Sequence, residues 1–190
     1  MIADLYLASA DPRAQSGKSG DEAEWRWSRE LALDALPDGG SLLDIGCANG
    51  YFMESAARWG EERGVSIEPY GLEISWRLAA LARHRLPAWA DRIWVGNAWD
   101  WQAPRRFDLV HTGIDYVPRE RQHAYLSRLL REFLTVKGEL VIRAERVSGA
   151  EPDPVEIVRS LGFPIQRVLE RQHPTSGALR RTATLMRPRA

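Results

Sequence analysis

Cysteine is nearly missing from this sequence: Cys47 stands alone among 190 residues. One thiol cannot close an intrachain disulfide, so the expected setting is a reducing compartment and a fold held by its core. An excess of either charge is missing too. Lys plus Arg and Asp plus Glu number 26 each, so no net field draws the chain to nucleic acid or an anionic membrane. No apolar run approaches the roughly 20 residues that span a bilayer. The opening Met1-Ile2-Ala3-Asp4 carries neither the basic segment nor the apolar run of a secretory leader. The expectation is a soluble cytoplasmic protein. His84, His111, His123 and His173 show no His-x-x-x-His or Cys/His spacing, which argues against a metal site; His84 and His173 read as solvated. The Gly-x-Gly-x-x-Gly turn of dinucleotide enzymes is absent. Gly17-Lys18-Ser19 does not end a phosphate loop, because Pro12 stands where that motif needs glycine and no strand precedes it.

What is present is ordinary in bulk. An apolar fraction of 44% and a charged fraction of 27% suit one globular domain. Residues 1 to about 20 read as a flexible arm. Asp21 followed by Glu24 has the form of a capping box, so a helix is expected from there to about Leu36. Strands and helices then alternate. Strands are expected at 41–45, 70–73, 92–95, 107–111 and 139–144, and helices at 52–59, 76–85, 119–135 and 154–161. Lys137-Gly138 is expected to end the helix before the fifth strand. Two closing runs, 165–171 and 179–187, are joined by Pro174-Thr175-Ser176-Gly177, too short for a crossover helix, so that pair must be antiparallel. The whole reads as an α/β doubly wound, seven-stranded sheet: five parallel strands closed by an antiparallel C-terminal hairpin.

The strongest chemical signal is Leu42-Leu43-Asp44-Ile45-Gly46-Cys47-Ala48-Asn49-Gly50. A buried strand delivers a carboxylate, and a turn of small residues lets backbone approach a ligand. Asp44 would repel a pyrophosphate and attract a sulfonium with its α-ammonium group. In Tyr70-Gly71-Leu72-Glu73-Ile74-Ser75, Glu73 ends the second strand, where a carboxylate can accept both hydroxyl protons of a ribose. It follows Asp44 by 29 positions, and the loop 61–69 is the expected source of the extra length over the roughly 20 of a usual unit. Val95-Gly96-Asn97-Ala98-Trp99-Asp100 follows the third strand. Phe107-Asp108-Leu109-Val110-His111-Thr112-Gly113 carries His111 to the carboxyl edge of the sheet, where ligands bind in open α/β folds.

This succession resembles motifs I to IV of the class I S-adenosylmethionine-dependent methyltransferases, over residues 40 to 187. The resemblance implies a Rossmann-like methyltransferase domain at 41–190, with 1–40 as an N-terminal arm and helix on the lid or substrate side. It implies S-adenosyl-L-methionine as cofactor, with Asp44, Gly46, Cys47 and Gly50 along its methionine part and Glu73 on the ribose. Ile74, Asn97, Ala98 and Trp99 would lie by the adenine, and His111 and Thr112 on the sulfonium side. Ala48 stands where many members carry glycine, and is expected to be tolerated with a negative φ.

Trp25 and Trp27 lie about 200° apart on a helix and cannot share a face. Trp27 is the better core candidate, leaving Trp25 to cover the cofactor or line the substrate mouth. His111 is the first candidate for a general base, with Asp115, Tyr116 and His123 behind it; Asp115 as a helix cap is the plainer alternative. Cys47 reads as a small turn residue rather than a nucleophile. Only 1 to about 40, 99–106, 112–119 and 146–153 can shape a substrate site. That suggests a small molecule, an accessible group on a larger partner, or a pocket completed by a second subunit. Two rival readings stay open: a nucleotide-dependent oxidoreductase, and a methyltransferase-like module without catalysis.

Overall fold

A computed structural model of the protein describes residues 2–18, 20–144 and 153–187. Of the stretch 146–153 expected near the substrate, only Asp153 is among them. The N-terminal arm holds a short helix α1 (Ile2–Leu7) and a 3-10 turn (Ala14–Ser16). Helix α2 (Glu22–Arg29) starts where Asp21 accepts a hydrogen bond from the Glu24 amide, as the capping pattern requires. It tightens into a 3-10 segment (Glu30–Ala35) rather than continuing as α-helix to Leu36.

The sheet is built from β1 (Gly40–Ile45), β2 (Ile67–Glu73), β3 (Ile93–Val95), β4 (Phe107–Gly113), β5 (Leu134–Arg143), β6 (Arg167–Gln172) and β7 (Leu179–Met186). Their order is β3-β2-β1-β4-β5-β7-β6, with β1 to β5 parallel and β7 antiparallel to both β5 and β6. The doubly wound sheet with its closing hairpin is therefore as the sequence pattern predicts. Helices α3 (Tyr51–Glu62), α4 (Trp76–Arg85), α5 (Gln122–Glu132) and α6 (Pro154–Ser160) cover the two faces. Parallel strands expose no apolar side to water, which is why Leu42, Leu43, Leu109, Val110, Leu140 and Val141 are all buried.

Two boundaries differ from expectation. The 61–69 segment is not a loop: α3 runs to Glu62 and β2 begins at Ile67, so the extra length is helix and strand. Lys137-Gly138 does not stop a helix but lies inside β5, beside a register shift between Phe107 and Leu109. The helix has already ended at Glu132, and Lys137-Gly138 falls in the bulge between Leu134 and Glu139, the β5 residues that pair with β4 on either side of the shift.

Residues 22–36 pack into the core. Trp25, Leu33 and Leu36 join Leu42, Phe52, Trp59, Leu109 and Val141 in one buried cluster on the α3 side. Trp25, not Trp27, is therefore the core tryptophan. Trp25 is 1% exposed, its indole N–H donating to Ser55 Oγ at 2.9 Å, whereas Trp27 is half-buried against His173. Ala23, Leu31 and Ala35 stand at four-residue steps from Trp27 and would extend one apolar helix face, but the helix changes pitch after Arg29. His173 is not solvated either: its Nε2 lies 2.8 Å from Glu24 Oε2.

Candidate active site

The C-terminal ends of β1 and β2 make a tight backbone cradle. Gly46 has φ +77°, a left-handed conformation that disfavours any side chain, and its amide donates to Leu72 O at 2.7 Å. Ala48 has φ +49°, against the expected negative value. That conformation costs an alanine about 1 kcal/mol. It turns the Ala48 amide onto Glu73 Oε2 at 2.8 Å. The Ser75 amide meets the other oxygen, Oε1, at 2.8 Å. Glu73 is therefore fixed between two turns, 5% exposed, and burial raises its pKa. Each carboxylate oxygen keeps a lone pair for a further donor. Beyond Glu73 the sheet leaves apolar side chains in the open: Ile74 is 68% and Val95 43% exposed, on neighbouring strand ends.

Cys47 is buried in the same turn. Burial, then the nearby Asp44 and Glu73 carboxylates, push its thiol well up, so the residue contributes backbone and volume rather than a thiolate. Asn97 is exposed and its Oδ1 accepts from the Trp99 amide at 3.0 Å, closing a turn beside buried Ala98. Arg128 donates to the carbonyls of Ala98 and Trp101 and so pins this loop from α5.

Strand alternation decides the rest. Asp44 and His111 occupy paired positions on β1 and β4 and point to the α3 side, where His111 Nδ1 sits 2.8 Å from Asp44 Oδ1. Phe52 packs against the imidazole at 4.7 Å between ring centres. Burial lowers the His111 pKa to about 4, outweighing the raising effect of Asp44, so the ring is neutral at pH 7. A carboxylate only accepts, so Nδ1 carries the proton and Nε2 keeps its lone pair. Thr112, expected beside His111, points to the opposite face and bonds Tyr125 Oη at 2.7 Å. Consecutive strand residues cannot share a side.

Tyr116 lies over the cradle. A Cβ on Gly46 would stand 2.6 Å from its hydroxyl, and one on Gly113 would stand 3.1 Å from its ring. Arg143 Nη2 donates to the same hydroxyl at 2.6 Å. Asp115 is exposed within the 3-10 turn Ile114–Tyr116 and caps no helix. His123 is exposed on α5 and stacks on Phe163, apart from the Asp44–His111 pair. Of the four candidate bases, Tyr116 lies against Gly46, His111 is buried on Asp44, and Asp115 and His123 are exposed.

Several residues at this edge received no role from the sequence. Asn49, fully buried, donates to Pro12 O (2.9 Å) and Gln15 Oε1 (3.0 Å) and accepts from Ser16 Oγ (2.6 Å), tying the arm to the β1 turn. Arg29 and Arg180 are buried, and Arg143 is half-buried at the end of β5. An arginine on a strand face otherwise apolar was the available clue for Arg143. Away from this edge, a cleft of about 680 Å³ opens at the N-terminal ends of the strands, between Gly40, Ser66, Pro69, Arg92 and Asp108. Its lining includes none of the candidate cofactor or catalytic residues.

No family model matches the chain. A curated relative, the tRNA U34 carboxymethyltransferase of Trichodesmium erythraeum (strain IMS101), is 27% identical over 131 residues; the match takes in 68% of this chain. The chain spans 39% of that relative's length. Among solved structures, the 1,6-didemethyltoxoflavin-N1-methyltransferase of Burkholderia thailandensis superposes with a TM-score of 0.61 at 18% identity, covering 86% of this chain and 78% of its own. The magnesium protoporphyrin IX methyltransferase of Synechocystis PCC 6803 gives 0.60 at 16% identity, covering 98% and 95%. With strand order, closing hairpin and these superpositions in agreement, the chain has the fold of the class I S-adenosylmethionine-dependent methyltransferases.

Proposed function

We propose that this protein binds S-adenosyl-L-methionine and moves its methyl group to an oxygen, nitrogen or carbon nucleophile on a small molecule in the cytoplasm. The observation that carries the reading is Glu73. A buried carboxylate is held by two backbone amides at the end of β2, beside a glycine cradle and next to the open apolar flank of Ile74 and Val95. That set fits a ribose diol with a flat base beyond it. It does not favour a pyrophosphate, which the Asp44 and Glu73 carboxylates would repel. Fold neighbours that act on small molecules support the substrate class, and the partial tRNA-enzyme match leaves a larger acceptor as the alternative. Among the described residues no helix is long and apolar enough to cross a membrane.

When bound, the cofactor supplies a methyl group already activated by its sulfonium charge. The chain's own task is alignment, exclusion of water and removal of a proton from a hydroxyl or ammonium acceptor. His111 Nε2 takes that proton, and Asp44 fixes the tautomer and steadies the imidazolium that results. Tyr116 shields the cradle from water, and the arm, docked on Asn49, serves as the lid.

Calorimetric titration with S-adenosylhomocysteine tests the reading. Saturable binding at about micromolar strength, lost in Glu73→Ala and absent for NAD, is the expected result. Binding of NAD in its place would return the chain to the oxidoreductases. Cofactor affinity without turnover across acceptor screens would favour a non-catalytic module.

A further inference from the structure

The cradle turn is made of small residues, so little side-chain packing holds it in shape. Ala48 and Gly50 both have positive φ, +49° and +77°, and Asn49 stands between them. Asn49 is fully buried, and every hydrogen-bonding position of its side-chain amide is taken. Oδ1 accepts from the Tyr51 amide at 3.1 Å, where α3 starts, and from Ser16 Oγ at 2.6 Å. Nδ2 donates to Pro12 O at 2.9 Å and to Gln15 Oε1 at 3.0 Å. The backbone carbonyl of Asn49 accepts from Arg85 Nη1 at 2.8 Å. The oxygen of the amide thus serves helix and arm, and its nitrogen serves the arm alone.

The arm that meets Asn49 is a hook closed on itself. Asp11 accepts from the Arg13 amide and guanidinium, Gln15 Nε2 donates to Ser9 O at 2.7 Å, and Gly17 lies against the Tyr6 hydroxyl. Both its ends are moored. Helix α1 packs on α4, where Asp4 pairs with Arg77, and Lys18 Nζ lies 3.5 Å from Glu24 on α2. The arm therefore runs from α4, across the β1 turn, to α2. Next to Asn49 in the chain, Ala48 gives its amide to Glu73 Oε2. A short physical path follows: Pro12 and Gln15 to Asn49, Asn49 to Ala48, Ala48 to Glu73. Were the arm to leave, Asn49 would lose three of its four side-chain partners, Ser16, Pro12 and Gln15. A buried amide so stripped is drawn toward water and takes the pliable turn with it.

We propose that Asn49 is a positioning residue that couples the arm to the cofactor cradle. Docking of residues 12–16 fixes the Ala48 turn on Glu73, and a nucleoside bound at Glu73 in turn holds the arm down. The inference rests on the methyltransferase reading for naming that nucleoside S-adenosylmethionine. Linkage makes the coupling reciprocal: the factor by which docking strengthens cofactor binding is the factor by which the cofactor strengthens docking.

The test reads arm opening as trypsin cleavage after Arg13, followed by mass spectrometry, because that cut requires the 12–16 segment to leave the turn. Sites within helices, Arg58 in α3 and Arg128 in α5, report unfolding of the domain. S-adenosylhomocysteine, with its affinity taken from calorimetry, should slow the arm cut about tenfold at saturation in the unsubstituted protein. Asn49→Asp keeps the acceptor that Tyr51 uses and turns both arm-facing donors into an acceptor opposed to Pro12 O and Gln15 Oε1. It should speed the arm cut about tenfold, weaken S-adenosylhomocysteine binding about tenfold, and abolish protection even at saturation. Repulsion by the new carboxylate alone would weaken binding but leave that protection intact. Gln15→Ala should speed the cut about threefold and stay protected, since Asn49 remains. Bound S-adenosylhomocysteine that does not slow the cut in the unsubstituted protein overturns the proposal, whether or not Asn49→Asp folds. So does protection in Asn49→Asp equal to that of the unsubstituted protein. Absence of S-adenosylhomocysteine binding from the unsubstituted protein removes the methyltransferase reading and the coupling with it.

Discussion

The two faces of the central sheet are built on different terms. Toward α5 and α6, Leu43, Ile45, Val110, Leu140, Ile142 and Leu185 meet Leu126, Leu129, Phe133 and Val158 in an apolar layer that runs the length of the strands. Toward α2 and α3 the layer begins the same way, with Leu42, Leu109, Val141, Phe52 and Trp59. It then turns polar toward the carboxyl ends of β1 and β4, where Asp44 and His111 pair. Burying such groups costs stability unless each is satisfied. The apolar face holds the fold together. The polar end of the other face is where stability has been exchanged for chemistry.

That contrast can be tested by removing one large side chain from each side. Leu126→Ala on the apolar face should cost about 2–5 kcal/mol, and Trp25→Ala on the mixed face about 3–5 kcal/mol, in urea unfolding. Trp27→Ala, half-buried at the hairpin, should cost about 1 kcal/mol. A Trp27 cost equal to that of Trp25 would undo the assignment of Trp25 as the core tryptophan.

Acid should then distinguish the faces. His111 has a folded pKa of about 4 against an ordinary 6.5, so the unfolded chain binds more protons between those values. Its contribution is complete above pH 6.5 and is lost as pH falls toward 4. Glu30 takes over lower. Burial would raise its pKa, but hydrogen bonds from Arg26, Arg63 and Arg171 bring it to about 2, so its share is lost as pH falls from 4.5 through 2. The midpoint for urea unfolding should therefore decline from pH 6.5 to 4, and His111→Gln should flatten that decline. Imidazole NMR should place the His111 titration near pH 4. A midpoint near 6.5 would mean that the Asp44–His111 pair is open to water.

The smallest effect sharpens the cradle itself. Ala48→Gly should raise stability by about 1 kcal/mol, because glycine adopts φ +49° without the steric cost that alanine bears. No gain would show that the turn relaxes around Ala48, and would weaken the case for a rigid Glu73.

The motifs placed Asp44, Gly46, Glu73 and His111 at one sheet edge because strand, turn and helix signals are local, and the edge follows from parallel topology. They gave no direction for side chains. His111 and Thr112 are neighbours in sequence and lie on opposite faces, and Asp44 turned out to hold a histidine. The arm read as irregular because its order comes from Asn49, 31 positions after Lys18 and invisible to any periodicity.

The sequence by itself therefore determined the succession of parallel strands, the closing hairpin and the cradle, since alternating apolar runs, small turn residues and two strand-end acids are decided within a few residues of each other. Only the tertiary structure decided which tryptophan is buried, what Asp44 touches, and that the arm docks on Asn49. Those outcomes depend on contacts between segments up to 67 positions apart, where packing and charge, not local pattern, select the arrangement.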